Sequence, residues 1–467
     1  MIKTSIVIVG GGFGGVACAK ACARLFRDRP DVDIILISPR PYHDFQPALY
    51  EVATAIGEGT EAISMTARRR GGNGRTDELS CLRKAVCLPL EEVFRDTKVK
   101  LVYGRVNWID RIQRQVLISH APVLSYTYLV LALGSVPAYY DIPGLRENAL
   151  GLKTVNDALT VRSAIQNEWG RIEGKTERSP QAREAAPLKI IIGGGGFTGT
   201  ELAAELAGML RTFAQLGAKK GVRVPYEVIL LSGTTGPVSQ LGERVCRMAE
   251  ERLKDCGVTL ITGPRVTRVE RQEHDGIRES APNRWARPDG ESYHRSKIVV
   301  LNDGRRLKAN ILIWTGGVQA APLYARVFPL AAGAQGRVAV EEALQVAGEE
   351  RIFAVGDGAY CTDNDYPQGL PLQAWVAIAE GKHAAANMHR HVIHMPLLNF
   401  RRPRFPFIVP LGGKHAVIKL PHGRVWQGLV PWVLDQLVEL RYYCSLLGLR
   451  RGSVMWWSEE RICVRND

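Results

Sequence analysis

No two cysteines of the 467-residue chain are spaced C-x-x-C, and the nine present follow neither a metal pattern nor a disulfide framework. Cys18 and Cys22, four apart on a predicted helix, share a face and read as small buried hydrophobes. Long apolar runs are missing too. The uncharged stretches 425–434 and 442–449 fall well short of the roughly 20 residues a spanning helix needs. No charged-then-apolar leader precedes the first predicted strand, so a reduced, cytoplasmic setting is expected. Aromatic residues make up only 7%, yet 46% apolar residues supply ample core, and the length implies two domains or more. Acids are outnumbered, 47 against 61 Lys and Arg. The net charge of +14 points to anionic partners: nucleic acid, a membrane surface or acidic small molecules.

What the chain has in abundance is glycine, and two clusters organise it. Ser5 to Val9 is a short β-branched run that meets Gly10, Gly12 and Gly15, spaced G-x-G-x-x-G, before a small-residue helix. In that context the first glycine permits a tight turn and the second lets backbone approach a pyrophosphate. The third lets helix and strand pack closely, with the phosphates at the helix N-terminus. The pattern returns after the strand Lys189 to Ile192, as Gly194, Gly196 and Gly199, with a helix beginning near Thr198. Two such units imply two dinucleotides, or one bound cofactor and one exchanging substrate. Glu201 falls in the predicted first turn of the second helix, where the helix dipole favours a carboxylate. A helix-end role and a functional role are both open to it.

The strand after each glycine unit ends without the acid that usually binds a ribose. Val32 to Ile37 runs into Ser38-Pro39-Arg40, where the serine can hydrogen-bond a ribose and Arg40 can reach an adenine or phosphate. Val228 to Leu231 runs into Ser232-Gly233, so NADH and NADPH are not distinguished. Strands at 99–106 and 116–118 are expected to form an antiparallel excursion. Buried strands end at Ala132-Leu133-Gly134 and at Trp314-Thr315-Gly316-Gly317, a second internal echo, and another ends at Gly356-Asp357. A helix is expected over Asn156 to Trp169, then a polar linker over 173–187. Polar loops are expected over 67–80, where Arg68, Arg69 and Arg70 are consecutive, and over 270–297. A small-residue helix follows from about Gln373.

These features, spanning nearly all of residues 1–390, resemble a flavoprotein with two dinucleotide-binding domains. The resemblance implies FAD pyrophosphate on Gly10, Gly12 and Gly15, with Gly356 and Asp357 at its ribityl–phosphate region. It implies NAD(P)H, with NADH favoured, on Gly194, Gly196 and Gly199. Disulfide reductases of this fold carry a C-x-x-x-x-C pair after the first unit. This chain has no cysteine between Cys22 and Cys81, so a thiol relay is not expected and reduced flavin must serve an acceptor directly. YHDFQPALYEVA, IPG, GGGFTGTELAAEL, AVGD and LGGKHAV resemble type II NADH:quinone oxidoreductases. That likeness implies Glu201, Gln46 and Lys414 as catalytic, with Glu201 near nicotinamide and flavin and Lys414 near the quinone. Ser38, Arg40, Gly134, Ser232, Gly317, Gln373, Ala374 and Trp375 join the cofactor-binding set, and no metal is expected. The family often has A-Q-x-x-x-Q beside the flavin ring. Here Trp375 and Ala379 stand where the two glutamines would be, the indole being placed either to stack on a flat acceptor or to fill core.

From Gly381 onward 13 Lys/Arg face 5 Asp/Glu, interleaved with Trp426, Trp432, Tyr442, Tyr443, Trp456 and Trp457. Basic, aromatic and amphipathic together, this segment suggests a helix lying in an anionic membrane interface. No nucleic-acid motif is present. The expected fold is α/β: two Rossmann-like domains and a C-terminal amphipathic membrane-associating segment. The expected boundaries are 1–150 and 311–390 for FAD, 151–310 for NAD(P)H, and 391–467 for the membrane region. The expected protein is a homodimer, peripheral on the cytoplasmic face, passing electrons to a membrane quinone without pumping protons. Two rival functions stand beside it: a sulfide:quinone-type oxidoreductase using Cys361, and a flavin-bound redox sensor or interaction protein.

Overall fold

The computed structural model describes residues 3–56, 74–178, 187–272, 296–329 and 333–463. The chain divides into two units: 1–44, 87–136 and 318–404 form the first, and 45–86, 137–317 and 405–467 the second.

Apolar runs without alternation require cover on both faces, and in the first unit they form an all-parallel sheet. Its spatial order is Ile352–Ala354, Tyr128–Leu131, Thr4–Val9, Val32–Ser38, Val99–Tyr103. Ile6, Ile8, Leu36, Leu129 and Phe353 are fully buried within it. Helix Phe13–Leu25 packs against helix Ala374–Val392 at small residues: a Cβ on Gly381 would lie 2.2 Å from the Gly14 carbonyl oxygen. Cys18 and Cys22 are buried on the Phe13–Leu25 helix, where the hydrogen bond with the Cys22 thiol, then burial, push the Cys18 thiol up. Val99–Tyr103, expected in the antiparallel excursion, is the parallel sheet's edge strand, in register with Ile34–Ser38. Its half-buried pattern suits an edge strand of either kind, so the pattern alone does not choose the partner. The antiparallel excursion is Val106–Asp110, Gln115–Ile118 and Leu124–Ser125.

The second unit repeats the design, in the order Leu150–Gly151, Ile311–Trp314, Leu188–Gly193, Tyr226–Ser232, Val258–Thr262, all parallel. Helix Val155–Arg178 runs past the expected end and takes in residues 173–178 of the supposed linker, a stretch rich in helix-forming Glu, Lys and Arg. Helix Gly74–Val86 replaces the end of the supposed 67–80 loop, anchored by buried Leu82, Ala85 and Val86. Arg68, Arg69 and Arg70, the rest of the linker to 186, and residues 273–295 of the other polar loop lie outside the described residues.

Strands Phe407–Pro410, Ala416–Lys419 and Val425–Gly428 form a small antiparallel sheet that leads into helices Leu429–Leu447 and Leu449–Cys463. The Leu429–Leu447 helix is apolar outward. Leu429, Val430, Val433, Leu437 and Val438 are exposed, whereas Gln436, Glu439 and Tyr443 are buried. Among the described residues no helix is long and apolar enough to cross a membrane.

Candidate active site: two glycine turns and an acidic helix face

Both glycine turns sit at the carboxyl ends of central strands, where neighbouring strands diverge and leave a crevice. The same main-chain bonds hold each. Gly10 N–H donates to Ile37 at 2.8 Å and Ala132 N–H to Val9 at 2.9 Å; Gly194 N–H donates to Leu231 at 2.9 Å and Thr315 N–H to Gly193 at 2.8 Å. The first and third glycines are required by the protein itself. Gly10 has φ +121°, and a Cβ there would lie 2.1 Å from the Ala132 oxygen; on Gly15 it would lie 1.8 Å from the Gly10 oxygen. Gly194 has φ +119°, and a Cβ on Gly199 would lie 1.9 Å from the Gly194 oxygen. The middle glycines differ. Beside Gly12 and Gly196 an added Cβ would meet no protein atom within 4 Å. Each middle glycine is the N-cap of its helix, with no side-chain cap and no acid in the first turn. Two helix N-termini therefore keep their N–H groups and positive end for an anion in open space. A dinucleotide pyrophosphate fits each, so the residues present suit FAD in the first unit and a pyridine nucleotide in the second.

In the first unit, Gly356 takes φ +72° and its N–H donates to Glu380 Oε2 at 2.5 Å, while Ser135 Oγ donates to Asp357 Oδ2 at 2.5 Å. Burial pushes Glu380 up to about 8, against the pull of the Gly356 N–H. Gly356, Asp357, Gln373 and Glu380 line one small pocket. Gln373 caps the Ala374–Val392 helix, and its Oε1 accepts the indole N–H of half-buried Trp375. Gly134 has φ +68° with open space at its Cβ. Ser38, 3% exposed, lies beneath Gly11 and donates to the Arg40 carbonyl at 2.7 Å, and Arg40 pairs with buried Asp44 at 2.6 Å. His43, fully buried, holds the Gly11 carbonyl at 2.9 Å through Nδ1 and meets the Phe13 ring edge-on. Burial lowers it to about 4, so it is neutral and Nδ1 is the donor. Glu380, Ser135 and His43 escaped sequence reasoning. Only the position of Ser135, directly after the Ala132-Leu133-Gly134 strand end, hinted at one of them.

Cys361 does not resemble a redox nucleophile. Burial, then the carboxylates of Glu380 and Asp363, push its thiol up to about 12, the opposite of what a thiolate requires.

In the second unit, Ser232 is 2% exposed and lies beneath Gly195, as Ser38 lies beneath Gly11. It donates to the Gly236 carbonyl at 2.9 Å. Gly317 takes φ +132° against Tyr140. Helix Phe197–Lys219 begins one residue before the expected start, so Glu201 is its fifth residue and lies beyond the first turn. Its carboxyl is not held low by the helix end. Burial, then the Asp435 carboxylate, push it up to about 8. Asp435, raised to about 7 by burial, projects from the Leu429–Leu447 helix, and Tyr50 interacts with Glu51, Glu201, Asp435 and Glu439 together. The structure thus gathers acids from three helices that are distant in sequence. Asp435 and Glu439 lie about one helical turn apart on the Leu429–Leu447 helix.

The other two expected catalytic residues belong to this unit as well. Gln46 Oε1 accepts from Lys153 Nζ at 3.4 Å, and the adjacent Phe45 stacks on Tyr442. Lys414 sits on a hairpin turn in which Gly412 and Gly413 take φ +75° and +61°. Arg252 pins that turn, Nη2 donating to the Gly412 carbonyl at 2.7 Å. A Cβ on Gly412 would lie 3.1 Å from the Ala204 carbonyl, which places the glycines of the Lys414 turn against the helix three residues along from Glu201.

Two parallel sheets, each with a glycine turn open to a dinucleotide, define a pyridine-nucleotide oxidoreductase with two nucleotide-binding units. The model for the pyridine nucleotide-disulphide oxidoreductase family matches residues 4–381. The chain is 30% identical over 401 residues to the type II NADH:quinone oxidoreductase NdhA of Mycobacterium tuberculosis, covering 83% of this chain and 72% of that one. It therefore belongs to the pyridine nucleotide-disulphide oxidoreductase family and, within it, to the type II NADH:quinone oxidoreductases. Among solved structures, NDH2 from Plasmodium falciparum in complex with NADH shares the fold, with a TM-score of 0.75, 15% identity and 99% of both chains covered. The sulfide:quinone oxidoreductase from Aquifex aeolicus shares it at TM-score 0.66, 19% identity, covering 97% of this chain and 92% of that one.

Proposed function

We propose that this chain is an FAD-dependent, non-proton-pumping NADH:quinone oxidoreductase. The observation that carries the reading is the duplicated turn, in which Gly12 and Gly196 keep open space at an uncapped helix N-terminus at the end of a central parallel strand. FAD, when bound, accepts a hydride and returns two electrons to the acceptor. The residues of the chain bind and orient. Gly10, Gly12 and Gly15 seat the flavin pyrophosphate, with Ser38 and Arg40 toward its adenosine end. Gly134, Gly356, Asp357, Gln373, Ala374 and Trp375 seat the remainder. Gly194, Gly196, Gly199, Ser232 and Gly317 seat NADH. Glu201, kept protonated near neutral pH by burial and by Asp435, presents an uncharged carboxyl to the nicotinamide side. Gln46 and Lys414 face the quinone.

The outward apolar face of the Leu429–Leu447 helix, within a strongly basic C-terminal region, supports docking on the anionic cytoplasmic face of a membrane, where a lipid-soluble quinone is reached. A homodimer is the proposed assembly, to be checked by light scattering. The functional test is anaerobic bleaching of the bound flavin by NADH, followed by a pulse of quinone. Fast bleaching and fast recovery are expected. Bleaching without recovery would remove the quinone, and no bleaching would remove the donor site.

A further inference from the structure

The strand Tyr226–Ser232 ends at the place where a nucleotide's adenosine ribose meets the second unit, and the acid that commonly selects a bare 2′-hydroxyl does not stand there. A site that selects NADH presents an acid there to accept that hydroxyl and to repel a 2′-phosphate. From Ser232 to Gly242 the chain contains no acid at all. It presents hydroxyls: Ser232 Oγ and Thr234 Oγ1 lie 2.9 Å apart, and Ser239 Oγ donates to Thr234 Oγ1 at 3.0 Å. Arg265, from the segment after the neighbouring strand Val258–Thr262, reaches the same strand end. Its Nε lies 3.5 Å from the Gly233 carbonyl, and its Cγ would be 3.1 Å from a Cβ on Gly233. Main-chain bonds fix this approach, since Gly263 N–H donates to both Ser232 and Thr234 carbonyls at 2.9 Å. The Arg265 N–H is itself held by Asn302 Oδ1 at 2.9 Å, and the side chain is exposed. One carboxylate touches this loop: Glu250 lies against Gly236, with Cys246 Sγ 3.8 Å from its Oε1.

We infer that the donor site accepts NADPH as well as NADH, with the exposed Arg265 guanidinium as the determinant that receives the 2′-phosphate. The inference rests on the NADH:quinone reading above and concerns which donors that same site admits. A guanidinium supplies a permanent positive charge and paired donors for phosphate oxygens, whereas the Ser232 and Thr234 hydroxyls already donate to the Gly236 carbonyl, at 2.9 and 3.1 Å, and hold the loop in shape. No acid stands on the strand end itself, and Glu250 lies farther along, against Gly236 of the loop that follows.

The experiment is flavin bleaching by NADH and by NADPH in the purified holoenzyme, read as kcat/KM for each donor, with 2′,5′-ADP as a competing probe. Wild type is expected to use both donors, with 2′,5′-ADP competing more tightly than 5′-AMP. Arg265→Ala is expected to lower kcat/KM for NADPH by roughly 10- to 100-fold, the range for loss of a hydrogen bond to a charged group, and to leave NADH within about twofold. Arg265→Glu, which places an acid at the same exposed position, is expected to shift the ratio further in the same direction and serves as the second variant. Bleaching by NADH with none by NADPH overturns the inference and leaves the oxidoreductase reading standing. An equal loss of both donors in Arg265→Ala also overturns it. Failure of both donors in wild type overturns the reading itself.

Discussion

Ala placed at Gly196 and at Gly199 separates what the nucleotide needs from what the fold needs. At Gly199 the new methyl carbon would stand 1.9 Å from the Gly194 oxygen and 2.6 Å from Thr315 Oγ1, about 1 Å inside the 3.0 Å limit that Cβ atoms respect toward that oxygen. The obstacle is main chain, so helix Phe197–Lys219 must move off its strand, and overpacking of this kind costs about 1–3 kcal/mol. A fall in Tm of several degrees is expected, at roughly 2–4 °C per kcal/mol for a domain of this size. At Gly196 the methyl meets no protein atom within 4 Å, and φ −75° suits alanine. Gly196→Ala is therefore expected to fold with a loss below about 1 kcal/mol, that of a weaker N-cap. The open space is where a pyrophosphate must approach the main chain, so the Kd for NADH is expected to rise about tenfold or more, which corresponds to 1.4 kcal/mol. Stopped-flow bleaching against NADH concentration gives that Kd, and thermal unfolding gives Tm. An unchanged Kd in Gly196→Ala would refute the assignment of this turn to NADH, whatever its Tm.

Three further outcomes are expected. Glu201 and Asp435 titrate at about 8 and 7 in the native state against 4.5 and 3.8 unfolded, so the unfolded chain releases their protons first and stability falls as pH rises through that window. Asp435→Asn removes one such group and the charge that repels Glu201, so Tm should decline less between pH 5 and 9; an identical slope would refute the pairing. His43 has the opposite sign: lowered from 6.5 to about 4, it leaves the unfolded chain to take up the proton first, so its cost is absent above 6.5 and grows as pH falls toward 4. His43→Asn should flatten the acid limb of the Tm profile, and flavin retention at pH 5 should be no worse than in wild type. Leu437→Glu places a charge on the outward face of the Leu429–Leu447 helix, where Leu437 is 52% exposed. Co-sedimentation with anionic vesicles should be lost, while NADH oxidation by a water-soluble quinone persists; retained sedimentation would remove that face from the interface.

The duplicated architecture was legible before any coordinates, because its cause is local. A run such as Ile6–Val9 followed by Gly10, Gly12 and Gly15 encodes a strand, a positive-φ turn and a closely packed helix within a dozen residues. The second copy at Gly194, Gly196 and Gly199 obeys the same steric rules, so both strand–turn–helix units could be read from spacing. The tertiary structure supplies the obstacle at the first glycine of each turn, the Ala132 and Thr315 main chain more than a hundred residues away. It also decided the state of Glu201. Counted along the sequence it sat at a helix start that favours the charged form; in space it is buried beside Asp435, from 234 positions later, and holds its proton. Arg265 and Gly233 meet for the same reason, just past the ends of two parallel strands that register brings side by side. Backbone conformation is dictated by neighbours in the chain, whereas desolvation and charge–charge coupling depend on whatever folding brings within a few ångströms, and no spacing rule records that.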